Sequence, residues 1–264
     1  MENRYGRTSE LNVEISKKDN KTILSDAYFT PPFKIMKPFY ENDLMRILQM
    51  SASPGVMEGD CQTININVKE NSKAEIYSQS YEKIHKMDKG DAKRNININV
   101  ADNCFFVYNP LPAIPYAGSA FNNEINVNLS DSTSVFVYSD ILTGGRIACG
   151  ECFKYRYYNS LVCIYENNNM EYRDNTRYAP HKMNMQGIGL YEGFTHLLSM
   201  VICNVNMDKN IYDIFKKYIY PFGITKTDRE YTVIRVLGKS SQELEMLSDE
   251  VKKKAYNNYI YKNE

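Results

Sequence analysis

The sequence predicts a mainly β protein: a stacked, layered body of β-strands, β-helix-like or sandwich-like, with a small C-terminal β-α-β-α portion. Two observations support this. An alternating strand pattern occurs three times in the middle of the chain, and apolar residues switch to helical spacing in the last quarter. With 264 residues, of which 43% are hydrophobic, the chain is large enough to bury a globular core.

The central repeat has three units. Each contains a strand that alternates Ile or Val with Asn, a short Asx- or Ser-rich turn, and a second strand of β-branched or aromatic residues. Aligning Ile64, Ile96 and Ile125 gives spacings of 32 and 29 residues. Strict alternation predicts a strand with one buried face, here with Ile and Val inward and Asn outward. Because one such unit cannot bury its apolar face alone, the units are expected to stack.

Further strands flank the repeat. Residues 12–16 and 22–25 alternate weakly around a polar turn and predict a hairpin. Residues 44–51 fit a strand or a helix, and Pro54-Gly55 ends either one. Residues 160–165 predict a strand that turns at 167–169 into another at 171–173.

The last quarter of the chain predicts an α/β portion. Residues 197–204 and 231–237 read as strands, and residues 208–220 show apolar helical spacing before Pro221. Ser241 is a suitable N-cap for a final helix. Its apolar stripe consists of Leu244, Leu247, Val251, Ala255 and Tyr259. Since no Gly-, Ser- or Pro-rich linker intervenes, residues 1–196 are expected to form the layered body and residues 197–264 to pack on the same core.

Composition limits the classes of partner and compartment. Thirty-two Lys and Arg balance thirty-two Asp and Glu, so the formal net charge is zero. This excludes binding to nucleic acid or acidic membranes that is driven by the net charge of the whole chain. No run of about 18 apolar residues is available for a membrane span. The polar N-terminus has no signal-peptide core, and six scattered Cys indicate free thiols. We therefore expect a cytoplasmic protein.

Cys149 and Cys152 form a C-x-x-C pair, which can supply half of a zinc site or a redox disulfide. No second pair of ligands at matching spacing accompanies it, so two ordinary thiols are the favoured interpretation. His85, His181 and His196 are far apart in sequence, and no phosphate-binding glycine motif is present.

Three carboxylates are candidates for a functional site: Asp60, Asp140 and Glu151. They lie at strand ends or beside Gly, where a carboxylate can face a cavity or pair with an Arg such as Arg146. The residues alone favour the ion-pair interpretation. Hard oxygen donors suit the transient binding of a divalent metal better than tight binding at a permanent site.

Eight segments occur in order along the chain, at residues 30–40, 53–60, 78–85, 110–115, 138–146, 150–154, 174–176 and 193–196. Together they resemble the urease accessory proteins UreD, in particular the UreH branch. The resemblance implies a cytosolic, non-enzymatic metallochaperone scaffold with a mostly β body. It also implies binding to apo-urease and to UreF, which recruits the GTPase UreG, in a dimer of heterodimers formed through UreF.

The resemblance further implies that Ni²⁺ passes through a water-filled tunnel, with no tightly bound cofactor. Asp60, Asp140, Arg146 and Glu151 match positions in the family's segments. Glu82 and Lys83 match a Ser/Thr-Lys position, with Glu in place of the hydroxyl. We expect Asp60, Asp140 and Glu151 to line the nickel path.

Glu82, Lys83 and Arg146 are expected to support that path. Two alternatives stay open. The first is a pure docking scaffold without an internal metal path, which abundant Tyr and neutral charge favour. The second is a metal- or redox-active protein built on Cys149 and Cys152.

Overall fold

The computed structural model describes residues 8–207 and 211–263, and most of them lie in strands. In chain order the strands are β1 (Thr8–Lys18), β2 (Lys21–Phe29), β3 (Phe33–Ile35), β4 (Phe39–Glu41), β5 (Leu44–Ser51), β6 (Cys61–Val68), β7 (Lys73–Ser78), β8 (Glu82–Ile84), β9 (Ala92–Val100), β10 (Phe105–Asn109), β11 (Ala113–Pro115), β12 (Ala120–Leu129), β13 (Val135–Thr143), β14 (Tyr157–Glu166), β15 (Asn169–Tyr178), β16 (His196–Cys203), β17 (Phe222–Lys226) and β18 (Thr232–Gly238). The α-helices are α1 (Ile211–Phe215) and α2 (Ser241–Asn263). None of the helices in these two described ranges is long and apolar enough to cross a membrane.

The strands form two sheets that enclose the main core. The first sheet has the order β15-β14-β12-β9-β6-β1-β2. The second has the order β17-β18-β16-β13-β10-β7-β5-β3, and in addition β4 pairs with β5, β11 with β13, and β8 with β11. Ile and Val side chains from the first sheet meet Phe106, Tyr108, Phe136 and Tyr138 from the second. The predicted mainly β, layered body is therefore confirmed.

Each unit of the sequence repeat contributes one strand to each sheet. The first strands, β6, β9 and β12, pair in parallel, and so do the second strands, β7, β10 and β13. Ile64 lies opposite Ile96, which lies opposite Ile125, so the alignment made from the sequence is the register of the sheet. The chain thus coils from sheet to sheet in the β-helix-like form of the predicted stack.

Asparagine has two structural roles in this stack. Asn71 and Asn103 adopt positive φ angles of 60° and 56° in the turns between the two sheets, a conformation that Asn tolerates better than most residues. On the outer face of the first sheet, the Asn97 amide donates to Asn65 at 2.9 Å, and Asn65 donates to Asn12 at 2.8 Å. These amide ladders satisfy the polar face while Ile and Val fill the inner one.

The flanking elements agree with the sequence predictions. β1 and β2 form the predicted antiparallel hairpin, as do β14 and β15. The ambiguous segment 44–51 is a strand, β5, because it adds in parallel to β7 and continues the second sheet.

The C-terminal portion contains one strand more than the sequence predicted. β16 pairs antiparallel with β13, so this portion extends the second sheet, and the division at 196/197 stays a prediction. Helix α1 covers only Ile211–Phe215, whereas residues 208–210 of the predicted helix lie outside the described part. After Pro221, strand β17 pairs with β18.

Helix α2 packs against the outer face of the second sheet. All five residues of its predicted apolar stripe are buried there. The helix begins at Ser241, but the side chain that accepts a first-turn amide is that of Ser240, from Glu243 N at 3.4 Å. The N-cap is therefore one residue earlier than predicted.

Replacing Ile98 by Ala should lower the free energy of unfolding by about 3 kcal/mol, because Ile98 is fully buried between the sheets. Its neighbour Asn97 faces outward and donates one ladder hydrogen bond, so Asn97→Ala should cost only about 1 kcal/mol. Urea unfolding of both variants measures the difference. Equal losses would contradict the assignment of inner and outer faces.

Candidate functional site

A row of polar side chains, one from each of five neighbouring strands, lies on the inward face of the first sheet. We call it the polar layer. Each member lies two residues before the first inward-facing Leu, Ile or Val of its strand. Because side chains alternate along a strand, all five members face inward. They are aligned in register across five strands and are almost completely buried. The members are Ser9, Gln62, Arg94, Asn123 and Ser160.

Polar residues of the second sheet face this layer. Asp140 of β13 lies opposite Ser199 of β16, and Gln49 of β5 lies opposite Ser78 of β7. Buried polar groups require hydrogen-bond partners or water. Where the polar residues of the two sheets face each other, space for water is therefore expected. Cavities are found at this level of the body.

Three cavities form a row between the sheets. The outer cavity, of about 120 Å³, contains Gln49 and Ser78 in its wall. The neck, of about 20 Å³, shares Glu82, Arg94 and Tyr108 with the outer cavity. The inner cavity, of about 30 Å³, follows the neck.

The neck and the inner cavity share Tyr138, Asp140 and Tyr158. Both ends of the row have wall residues that reach the surface. The wall of the outer cavity includes the exposed Lys83, and the wall of the inner cavity includes Asp174, which is paired with the half-exposed Arg235 at 2.7 Å. The row runs between the sheets from β5 and β7 at one end to β14 and β15 at the other.

Arg94 stands between the outer cavity and the neck. It forms an ion pair with Glu82, and its Nε and Nη2 donate to Gln62 Oε1 at 2.8 Å and 2.6 Å. Its guanidinium lies 5.4 Å from the ring centre of Phe121. Because Glu82 balances the charge of Arg94, this partly buried pair is formally neutral.

The sequence reasoning did not identify Arg94, although a signal was present. Arg94 is two residues before Ile96, so the alternation of β9 places it on the inner face. A charged residue at an inward position of a regular strand is unusual and requires a partner. Glu82, named from the family resemblance, is that partner.

Asp140 is the predicted site residue that the structure places in the row of cavities. Within residues 8–207 and 211–263, its carboxylate has no hydrogen bond and no ion pair. Burial raises its pKa to about 6, with the negative charges of Glu82 and Asp174 adding to the effect and Arg94 opposing it. Near neutral pH it is therefore an ionised, unpaired carboxylate inside the body.

The other two predicted carboxylates lie outside the walls of these three cavities. Asp60 accepts the Met57 amide at 2.8 Å and closes its own loop. Glu151 forms an ion pair with Arg146 and accepts the Ala117 amide at 3.2 Å, and these contacts lower its pKa. The structure does not bring the three carboxylates together, and their part in nickel transfer stays a prediction.

The supporting residues are divided in the same way. Glu82 and Lys83 line the outer cavity, whereas Arg146 holds Glu151 and lies with its guanidinium 4.0 Å from the ring centre of Tyr116. Arg146 therefore supports a surface loop.

The thiols and imidazoles occupy separate places. Cys149 is exposed and free, and burial raises the pKa of the free thiol of Cys152, which disfavours a reactive thiolate. The rings of His85 and His181 each lie 3.1 Å from a backbone carbonyl oxygen, and His196 lies 2.8 Å from Thr195 Oγ1. In the part of the chain that the structure describes, no three His, Cys, Asp or Glu side chains gather into a metal-ligating group.

Asp140→Asn should stabilise the protein in a pH-dependent way. The raised pKa means that the ionised form of Asp140 destabilises the fold as pH rises from 3.8 through about 6. The variant should gain about 3 kcal/mol at pH 7.5 and about 1 kcal/mol at pH 4.5. Urea unfolding at both pH values measures this. Glu151→Gln, whose parent carboxylate has a lowered pKa, is the control and should lose stability at pH 7.5.

Removing Glu82, the ion-pair partner of the buried Arg94, should be costly. Glu82→Gln leaves Arg94 as an uncompensated buried charge, and we expect a loss of about 3 kcal/mol. The double variant Glu82→Gln, Arg94→Met should recover much of this loss because both charges are removed. Thermal or urea unfolding compares the two, and a double variant less stable than Glu82→Gln alone contradicts the pairing.

Comparison with known proteins assigns the chain to a family. The family model described as UreD urease accessory protein matches residues 7–258. The urease accessory protein UreD of Acetivibrio thermocellus is 39% identical over 254 residues, covering 94% of this chain and 97% of that protein.

Two further relatives agree with this match. The urease accessory protein UreH of Helicobacter pylori strain J99 is 32% identical over 253 residues, covering 94% of this chain and 95% of its own length. The urease accessory protein UreD of Flavobacterium johnsoniae is 30% identical over 245 residues, covering 89% and 88%. With the family model spanning nearly the whole chain, this protein belongs to the UreD family of urease accessory proteins.

Proposed function

We propose that this protein matures urease in the cytoplasm as a non-enzymatic scaffold that also conducts Ni²⁺ to the apoenzyme. The observation that carries the proposal is the row of three cavities between the sheets, with the unpaired carboxylate of Asp140 at the junction of the neck and the inner cavity. Ni²⁺ is the cargo of this path and not a resident cofactor.

A conduit must hold its ion weakly enough to release it. The walls offer carboxylate, hydroxyl and amide oxygens together with the thioethers of Met50 and Met200, and among the residues that the structure describes no His or Cys lines the three cavities. Nitrogen and sulfur ligands bind Ni²⁺ more firmly than such oxygen donors. The chemistry of the walls therefore suits passage.

The charges along the row favour a cation. Arg94 would repel Ni²⁺ if it stood alone, but Glu82 neutralises it. Asp140 then contributes one uncompensated negative charge in a medium of low dielectric constant, where its attraction for a dication is strong.

Within this proposal, the chain works in a complex. We assign it a UreF-type partner, through which a UreG-type GTPase is recruited and a dimer of heterodimers forms, and apo-urease as the recipient of the metal. These assignments rest on membership of the family.

A docking scaffold without a metal path is the second candidate. Ile188 and Ile219 have 98% and 93% of their surface exposed, and a docked partner would cover such apolar side chains. The two candidates agree on binding and differ only in whether the interior must be open.

Filling the inner cavity distinguishes the candidates. Ser199 lines it, so Ser199→Phe should block passage, whereas Ser199→Ala leaves it open. In cells that express urease and its accessory proteins, Ser199→Phe should still co-purify with its partners but yield urease with at least tenfold less nickel and activity. Ser199→Ala should match the wild type. Full activation by an intact Ser199→Phe complex would support the docking scaffold and reject the conduit.

A further inference from the structure

The long loop between β15 and β16 bridges the two sheets beside the inner cavity. It joins Tyr178, at the end of β15, to Leu197, near the start of β16, and both of these residues line that cavity. Within the part of the chain that the structure describes, residues 182–194 make no hydrogen bond or ion pair with any residue outside 179–194. The loop is therefore a compact unit that folds on itself, and such loops are frequently functional.

Two bonds at the ends of this unit attach it to the body. The ring of His181 has a nitrogen 3.1 Å from the backbone oxygen of Arg156. At the other end, the Thr195 amide donates to the backbone oxygen of Gly238 at 3.0 Å. Since residues 182–194 have no such bonds, packing of their side chains is what holds them against the body.

Tyr191 is the anchor of this packing. It is 1% exposed, and its ring centre lies 4.6 Å from that of Phe153 and 5.8 Å from that of Tyr178. Burial raises the pKa of Tyr191, and neighbouring tyrosines and the Asp140 carboxylate add to the effect. Tyr191 is thus seated against a wall residue of the inner cavity, within electrostatic reach of Asp140.

The ring of Tyr191 stabilises this position, but its hydroxyl does not. In the described ranges the hydroxyl is completely buried and has no hydrogen-bond partner, and the same is true of the nearby Tyr155. A buried polar atom without a partner loses the hydrogen bonds that water would give it. Withdrawal of Tyr191 restores those bonds, so a Phe at this position would be held more firmly.

We propose that residues 182–194 are a lid over the inner cavity, and that the lid opens when Tyr191 withdraws from the rings of Phe153 and Tyr178. The lid regulates access to the proposed conduit and rests on that proposal for what passes. Its motion does not depend on any cargo, so it can be measured on the protein alone.

Hydrogen exchange of the purified full-length chain measures the opening. Withdrawal of Tyr191 releases the two hydrogen bonds of its own peptide groups: its amide donates to Met185 O at 3.0 Å, and its carbonyl oxygen accepts the Phe194 amide at 2.7 Å. These two amides should exchange at least about tenfold faster than the amides of β9, because a lid opens more readily than a central strand.

Three variants identify the anchor. Tyr191→Phe keeps the ring and removes the unpaired hydroxyl, so exchange of the two lid amides should slow roughly tenfold. Tyr191→Ala removes the ring contacts and should accelerate it. Ile188→Ser changes a side chain that is 98% exposed in the same lid, and as the control it should exchange like the wild type. Lid amides that exchange as slowly as those of β9, or equally in Tyr191→Phe and the wild type, would overturn the proposal.

Urease activation in cells tests what the lid controls. Tyr191→Phe should activate urease severalfold more slowly than the wild type, because its lid opens less often. If Tyr191→Phe slows hydrogen exchange but activates normally while Ser199→Phe blocks activation, the conduit stands and the lid does not control it, so the proposal is wrong. If Ser199→Phe also activates normally, the conduit is wrong, and hydrogen exchange alone decides whether the lid exists. Tyr191→Phe decides the question if Tyr191→Ala fails to fold.

Discussion

The structure depends on one constraint, the register of the parallel strands. This register places residues of similar type next to each other on neighbouring strands. Aliphatic residues therefore form continuous layers, and the polar residues from Ser9 to Ser160 form a layer of their own. Layers of Ile and Val on one side and of Phe121 and Tyr158 on the other keep the fold stable. The polar layer between them cannot pack without gaps, because its groups need partners or water. A row of cavities between the sheets is thus a consequence of the repeat.

The sequence revealed those parts of the fold that have a clear periodicity. The alternation around Ile96 predicted the strand, its inner face and its register, and the stripe from Leu244 to Tyr259 predicted the face of the final helix. The face of Asp140 could not be read in this way. Strand β13 is covered on both sides, by the first sheet and by α2, so its apolar run has no alternation. Arg94 could have been found from its inward position, but its pairing with Glu82 is a tertiary contact that spacing along the chain does not encode.

The difference between local and tertiary contacts also separates the three predicted carboxylates. Asp60 and Glu151 each have a partner within a few residues in sequence, Met57 and Arg146, although Glu151 also accepts the amide of the distant Ala117. Asp140 has no such partner, and its surroundings come from strands distant in sequence. Membership of the UreD family supplies the role in urease maturation. The polar layer and the cavities beside it are the features on which the proposed metal path rests.

The most direct test is a crystal structure of the protein soaked in Ni²⁺, with an anomalous difference map recorded at the nickel absorption edge. The account predicts a nickel peak in the row of cavities beside Asp140, with ordered water elsewhere in the row. A neck filled by collapsed side chains, with nickel found only on the surface, would contradict it.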